Sequence, residues 1–144
     1  MPSTDTGAAL DARYPARSDH IAEIRRDVTS AATGCGADET ALLRISLAVS
    51  EAASNAVLHA YREGLPAGDV HVLVQRHDGD FLDVRVDDHG IGMSPRTDRP
   101  GLGLGLGLMA HEAHSCEIRS APKGGTEVIM RFALQAGDSA EARA

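Results

Sequence analysis

The sequence predicts an α+β domain: a two-layer sandwich in which a mixed or antiparallel β-sheet is covered on one face by helices. Three observations predict it. Apolar residues recur every three and four positions between about residues 18 and 61, the helical period, and at every second position in 69–77 and 81–88, the strand period. The periodic segments follow the order β-α-α-β-β-α-β-β, which joins strands as hairpins instead of alternating strand with helix as a doubly wound parallel sheet requires. The 144 residues, 42% of them hydrophobic, suffice for one core and leave no room for a second.

The elements follow in order. Residues 1–9 and 136–144, small, polar and rich in Ala, Gly and Ser, are expected to be frayed tails around a domain spanning 10–135. LDARYPA (10–16) reads as a short strand. The first helix is expected from about Ser18 to Thr33, with Ser18 or Asp19 as N-cap, Gly34 as stop, and Ile21, Ile24 and Val28 on its buried face. A second runs from about Asp38 to Tyr61, with Leu42, Ile45, Val49, Ala52 and Ala56 in one apolar row and Leu43, Leu47, Val57 and Leu58 on the other side.

DVHVLVQRH (69–77) and FLDVRVDD (81–88), joined by Asp78-Gly79, form a β-hairpin whose core face is Val70, Val72, Val74, Leu82, Val84 and Val86. Residues 89–107, dominated by glycine, proline and charge, are loop, and LMAHEAH opens a short third helix. EIRSA and TEVIMRFAL then close the sheet as a hairpin around Pro122-Lys123-Gly124-Gly125.

Composition narrows the partners. A formal charge of -7 and a pI near 5.4 argue against a nucleic-acid binder, which would show a basic patch. No continuous apolar run reaches the length of a membrane span, and MPSTDTG lacks the regions of a signal peptide, so a cytoplasmic protein without membrane attachment is expected. The two cysteines, Cys35 and Cys116, lack CxxC spacing and read as free thiols. Among the seven histidines, HEAH (111–114) has i, i+3 spacing where HExxH needs i, i+4, and His71 and His77 flank a strand with no third ligand in the pattern.

Four short stretches carry chemistry. In SEAASNAVLHAY (50–61), Glu51, Asn55 and His59 fall on one stripe of the second helix, between apolar rows. By itself the stripe reads as a solvated helix face; chemically, an amide oxygen and a carboxylate one turn apart would suit a magnesium ion and the deprotonation of a nucleophile. VDDHGIG (86–92) puts Asp87 and Asp88 at a strand end before a glycine turn, either a plain Asp-rich turn or an acceptor beside a flat ligand that the backbone approaches closely. GLGLGLGLM (101–109) is poor helix or strand material, and glycine amides leading into a helix N-terminus suit polyphosphate. It contains no GxxxxGK[ST], and no GxGxxG follows a strand. KGGTEV (123–128) alone is a hairpin turn.

In this order the four resemble the motifs of the GHKL, or Bergerat, ATP-binding fold. ExxxNxxxHAY at 51–61 is similar to its N box, Asp88-His89-Gly90-Ile91-Gly92 to its DxGxG box, Gly103-Leu104-Gly105 to its second glycine box, and Gly125-Thr126 to its late Gly-Thr. The resemblance covers nearly all of 10–134 and is nearest to the small stand-alone anti-sigma factor serine kinases. It implies ATP or ADP and Mg2+ as ligands, with Glu51 as the general base for an attacking serine hydroxyl and Asn55 as the magnesium ligand. Asp88 would bind the adenine amino group, supported through water by Thr126, with Gly90 and Gly92 lining the base pocket and Gly103 and Gly105 offering amides to the phosphates. His59 matches the pattern without an assigned role.

The partners so implied are a sigma factor, which the protein would sequester, an antagonist protein phosphorylated on serine, and a second copy in a homodimer. Arg25 and Arg26 on the first helix are candidates for the partner surface by the same analogy, and solvated charges by composition alone. Two departures qualify the resemblance. Only ten residues separate Gly92 from Gly103, a short lid, and Leu102 stands where the family often has an arginine, which Arg96 or Arg99 would have to replace. The repeat leaves its register open, because Gly101-Leu102-Gly103 and Gly105-Leu106-Gly107 fit the second box almost equally. The short lid keeps a second reading in play, a non-catalytic nucleotide-dependent binding switch with the same fold; a third treats the glycine run as mere loop with no nucleotide.

Overall fold

The computed structural model describes residues 7–60, 68–88, 112–120 and 125–136. In chain order they form β1 (Leu10–Pro15), α1 (Ile21–Gly34), α2 (Glu39–Ala60), β2 (Asp69–His77), β3 (Phe81–Asp88), β4 (Ser115–Ser120) and β5 (Thr126–Ala133). The strands make one five-stranded sheet in the order β1-β2-β3-β5-β4. Every neighbouring pair is antiparallel, so the mixed-or-antiparallel expectation resolves to the antiparallel case. The loop expected at 89–107 lies outside the described residues, as does most of the expected third helix.

Alternation along the strands decides where the core sits. Val70, Val72 and Val74, Leu82, Val84 and Val86, and Val128, Met130 and Phe132 all point to the helix side and are buried. Against them lie Ile24, Val28 and Ala32 of α1 and Ile45, Val49, Ala52 and Ala56 of α2. Each buried Ile or Val contributes roughly 1.5–3 kcal/mol relative to exposure. Ala41, Ala48 and Ala53 complete the inner face of α2; such small side chains let it lie close to the sheet. By length and composition Glu39–Leu58 could also cross a membrane, but its apolar face is committed to the sheet, as in the core helix of a folded domain. The second expected row divides: Val57 is buried, while Leu43, Leu47 and Leu58 are exposed.

Two helix ends differ from expectation. The first helix enters through a 3-10 turn, Ser18–His20, and neither Ser18 nor Asp19 caps it; Arg17 and His20 occupy the two cap positions without a side-chain cap bond. Its stop lies two residues beyond Gly34. Gly36 takes φ +98°, Ala37 N–H reaches Ala32 O at 3.1 Å and Gly36 N–H reaches Thr33 O at 3.0 Å. That is the Schellman pattern, which needs left-handed backbone one residue past the cap. Asp38, where the second helix is expected to begin, caps α2, its Oδ1 accepting from Ala41 N–H at 2.8 Å.

The hairpin turn takes positive φ at Asp78 (58°) and Gly79 (82°), matching the right-handed twist of the flanking strands. Just outside the expected 10–135 boundaries, Ala9 N–H still bonds Val74 O at 2.7 Å and Ala136 is buried. The other face of the sheet carries charge: Arg131 grips Asp83 bidentately at 2.7 and 3.0 Å, and His71 meets Asp11 at 2.7 Å. Among the described residues no group of three or more His, Cys, Asp or Glu could hold a metal ion. Cys35 and Cys116 are free, and burial pushes the Cys116 thiol up.

Candidate functional site

Sheet register builds one half of the site. Asp88, the last residue of β3, stands opposite Val70 on one side and Thr126 on the other. All three project toward the helices, in the row that begins at Tyr14. Asp88 is only 3% exposed, the one charged residue so deeply buried among the described residues. A carboxylate is kept there only where its oxygens are hydrogen-bonded or a ligand meets them. Gly125 precedes Thr126 with φ +94° and is itself buried. A side chain in that left-handed backbone costs about 1–2 kcal/mol. Gly125→Ala is therefore expected to lower Tm by roughly 3–8 °C in a thermal melt and to weaken nucleotide binding with it by displacing Thr126.

The second helix supplies the other half. It is pinned at its start, where Asp38 N–H bonds Leu134 O at 2.9 Å, and it packs on β3 and β5. Leu134 N–H in turn bonds Asp80 O, so α2 begins at the hairpin end of β3. A rise of 1.5 Å per residue carries the chain roughly 25 Å from Asp38 to Asn55. Strand geometry carries it about the same distance from Asp80 to Asp88. Asn55 is thereby level with the Asp88 end of the sheet, and Glu51 sits one turn before it on the same stripe. Both are half-buried.

The Asn55 Nδ2 atom is buried and has no hydrogen-bond partner among the described residues. An unsatisfied buried amide is costly unless something completes it. Turning the amide about its terminal torsion presents Oδ1 instead, a hard oxygen donor of the kind magnesium takes. Magnesium uses few protein ligands and keeps waters and phosphate oxygens for the rest, so a single amide oxygen fits it without a carboxylate cage.

The sequence-predicted residues thus divide by location. Asp88 and Thr126 face each other across β3 and β5, and the length of α2 sets Glu51 and Asn55 toward the same end of the sheet. Gly90, Gly92, Gly103 and Gly105 lie outside the described residues, with Leu102, Arg96 and Arg99, and the side chain of His59 does too. A cleft of about 790 Å³ lined by Cys35, Arg76, Asp78 and Gly79 is at the opposite, hairpin end and shares no residue with these four. Sequence reasoning missed the role of Arg25. It is half-buried, not a free surface charge, and its Nη1 donates to Ser50 Oγ at 3.1 Å. An Arg beside a helix seam leaves no period that a sequence reader can detect.

Comparison with known proteins follows the same lines. Residues 14–132 match the family described as the histidine kinase-like ATPase domain. The anti-sigma F factor of Pasteuria penetrans is 34% identical over 106 residues, covering 66% of this chain and 70% of that protein. The serine-protein kinase RsbW of Staphylococcus aureus is 25% identical over 134 residues, 84% of each chain. Among solved structures, the RsbU and RsbW domains of Rv1364c from Mycobacterium tuberculosis align with a TM-score of 0.66 at 20% identity over 87% of this chain, which spans 31% of that longer one. The SiaB-SiaC complex of Pseudomonas aeruginosa aligns at 0.59 and 15% identity, covering 87% and 89%. These two structures speak for the fold alone.

Proposed function

Because the chain belongs to the histidine kinase-like ATPase domain family, we propose that it is an ATP-dependent protein serine kinase of the anti-sigma factor type, which sequesters a sigma factor and phosphorylates a serine on the antagonist of that complex. ATP and ADP are its nucleotides and magnesium the ion that accompanies them. Resemblance to an anti-sigma F factor and to a serine-protein kinase supports the partner classes. The observation that carries the reading is the meeting of buried Asp88 and Thr126 beneath the helix that bears Glu51 and the orphaned Asn55 amide.

The roles follow from chemistry. Asp88 accepts from the adenine amino group, in a site dry enough to strengthen that bond. Thr126, beside it on β5, supports the base through its hydroxyl. Asn55 Oδ1 holds magnesium, which when bound neutralises charge on the phosphate oxygens. Glu51 takes the proton of the attacking serine hydroxyl. Gly90, Gly92, Gly103 and Gly105 are assigned to the base pocket and the phosphates on their motifs. Arg26, exposed on α1, remains a candidate for the partner surface. A homodimer and a cytoplasmic location complete the proposal.

The testing experiment is a calorimetric titration of the protein with ADP and ATP, with and without magnesium, beside Asp88→Asn. That substitution turns one acceptor oxygen into a donor. It is expected to weaken both nucleotides by about 10–100-fold whether or not magnesium is present, the loss of one hydrogen bond to a charged group. Undiminished affinity in Asp88→Asn would remove the base-binding role. The ten-residue interval between Gly92 and Gly103 favours one other reading, a nucleotide-dependent binding switch without transfer. It requires partner affinity to differ between apo and nucleotide-bound forms, since a ligand shifts only states it distinguishes.

A further inference from the structure

Among the described residues two side-chain bonds tie α1 to other elements, and neither involves a residue assigned a catalytic or nucleotide-binding role above. The Tyr14 hydroxyl on β1 donates to Asp27 Oδ2 at 2.8 Å, and Arg25 Nη1 donates to Ser50 Oγ at 3.1 Å. Two positions apart on a helix means roughly 200° around it. Asp27 and Arg25 therefore leave α1 on opposite sides, one toward the sheet and the other toward α2.

Where these bonds end matters. Ser50 immediately precedes Glu51. Tyr14 stands opposite Val70, and Val70 opposite Asp88, in a single row across the sheet. The path Tyr14, Asp27, Arg25, Ser50 thus starts in the row that holds Asp88 and finishes at the turn of α2 that holds Glu51. Tyr14 is 4% exposed, and burial, reinforced by the bond to Asp27, pushes its phenol well above the ordinary value, so it remains a donor at physiological pH.

The apolar contacts of the α1–α2 seam fix the rotation of α2 less sharply than a directional bond does. Ile24, Val28, Ala48, Val49 and Ala53 are buried there or against the sheet, but apolar contact is non-directional. A hydrogen bond is directional. Rotating a helix by on the order of 10° moves a carboxylate about 6 Å from its axis by about 1 Å. Misplacement by about 1 Å can cost a hundredfold in rate.

We propose that Arg25 is a positioning residue for phosphoryl transfer: through Ser50 it sets the rotation of α2 so that the Glu51 carboxylate meets the attacking hydroxyl above the row that carries Asp88. This rests on the kinase reading given above. Arg25 acts through Ser50 and does not touch the nucleotide.

The test compares wild type, Arg25→Ala, Arg25→Lys, Ser50→Ala and the Arg25→Ala/Ser50→Ala double variant. Magnesium–ATP turnover is measured with water as the phosphoryl acceptor, beside ADP calorimetry and thermal melts. Expected is a roughly tenfold fall in kcat in each alanine variant, no further fall in the double variant, and KM for ATP and Kd for ADP within about twofold of wild type. Arg25→Lys, which keeps a donor, recovers part of the lost kcat. Wild-type kcat in Arg25→Ala, additive losses in the double variant, or a loss confined to KM would each overturn the positioning role while leaving the kinase reading intact. A wild type that binds ADP but transfers phosphate neither to water nor to a serine-bearing antagonist would remove the kinase reading, and this inference with it.

Discussion

Replacing Asn55 with alanine is expected to abolish the magnesium-dependent part of nucleotide binding while leaving the fold at least as stable as before. The two halves of that expectation come from one atom. Nδ2 of Asn55 is buried without a partner among the described residues, so its N–H groups contribute no hydrogen bond there that alanine would forfeit. Removing it relieves an unsatisfied group. What alanine does forfeit is the oxygen that would hold the ion between protein and phosphates. Altering even an outer partner of a bound metal typically costs about 10–100-fold in affinity, and a direct ligand should cost at least that. Calorimetry with magnesium and ADP should therefore show a loss of on the order of 100-fold, with little change when the ion is chelated. A melting temperature that drops by several degrees would instead mark Asn55 as a structural residue.

Glu51→Gln is the second large effect. The substitution keeps the shape and half-buried position of the side chain one turn before Asn55, and removes its negative charge and with it the capacity to accept a proton. ADP and ATP should bind within a few-fold of wild type. Transfer to a serine acceptor should fall by about 10²–10⁴, the usual contribution of a positioned general base. Read with Asn55→Ala, the pair separates the two functions of a single helix face: one variant binds and does not transfer, the other does not bind with magnesium. Transfer that persists undiminished in Glu51→Gln would leave positioning and charge neutralisation to explain the rate, which phosphoryl transfer tolerates better than most chemistry.

Much of the fold was legible because its signals are local. Val70, Val72 and Val74 alternate, Ile45, Val49, Ala52 and Ala56 recur at helical spacing, and Asp78-Gly79 announces its own turn; each is decided by neighbours in the chain. The errors were local too, and small. Ser18 and Asp19 offered good cap chemistry, but the chain enters α1 through a 3-10 turn that uses neither. Gly34 reads as the stop, although of the two nearby glycines it is Gly36 that has the left-handed backbone that ends the helix.

The functional residues were legible in a different way. Glu51, Asn55 and Asp88 were picked out by residue type and spacing, and nothing in that reasoning showed that they share one end of a sheet. Arg25 was read as a surface charge. His71 reads from the sequence as a strand histidine without a third ligand, yet it sits in the sheet face between Asp11 at 2.7 Å and Asp87 at 3.8 Å, a contact among three strands.

From the sequence alone, then, came the elements, the apolar rows and the residue types fit for nucleotide chemistry, because periodicity and turn preference act over a few residues. Only the tertiary structure decided that Asp88 faces Thr126, that Asn55 Nδ2 is buried without a partner among the described residues, and that Arg25 bonds Ser50, the residue before Glu51. Those are contacts between residues far apart in the chain. They depend on strand register and on how two helices seat on one sheet, and both are settled by the packing of the whole core at once.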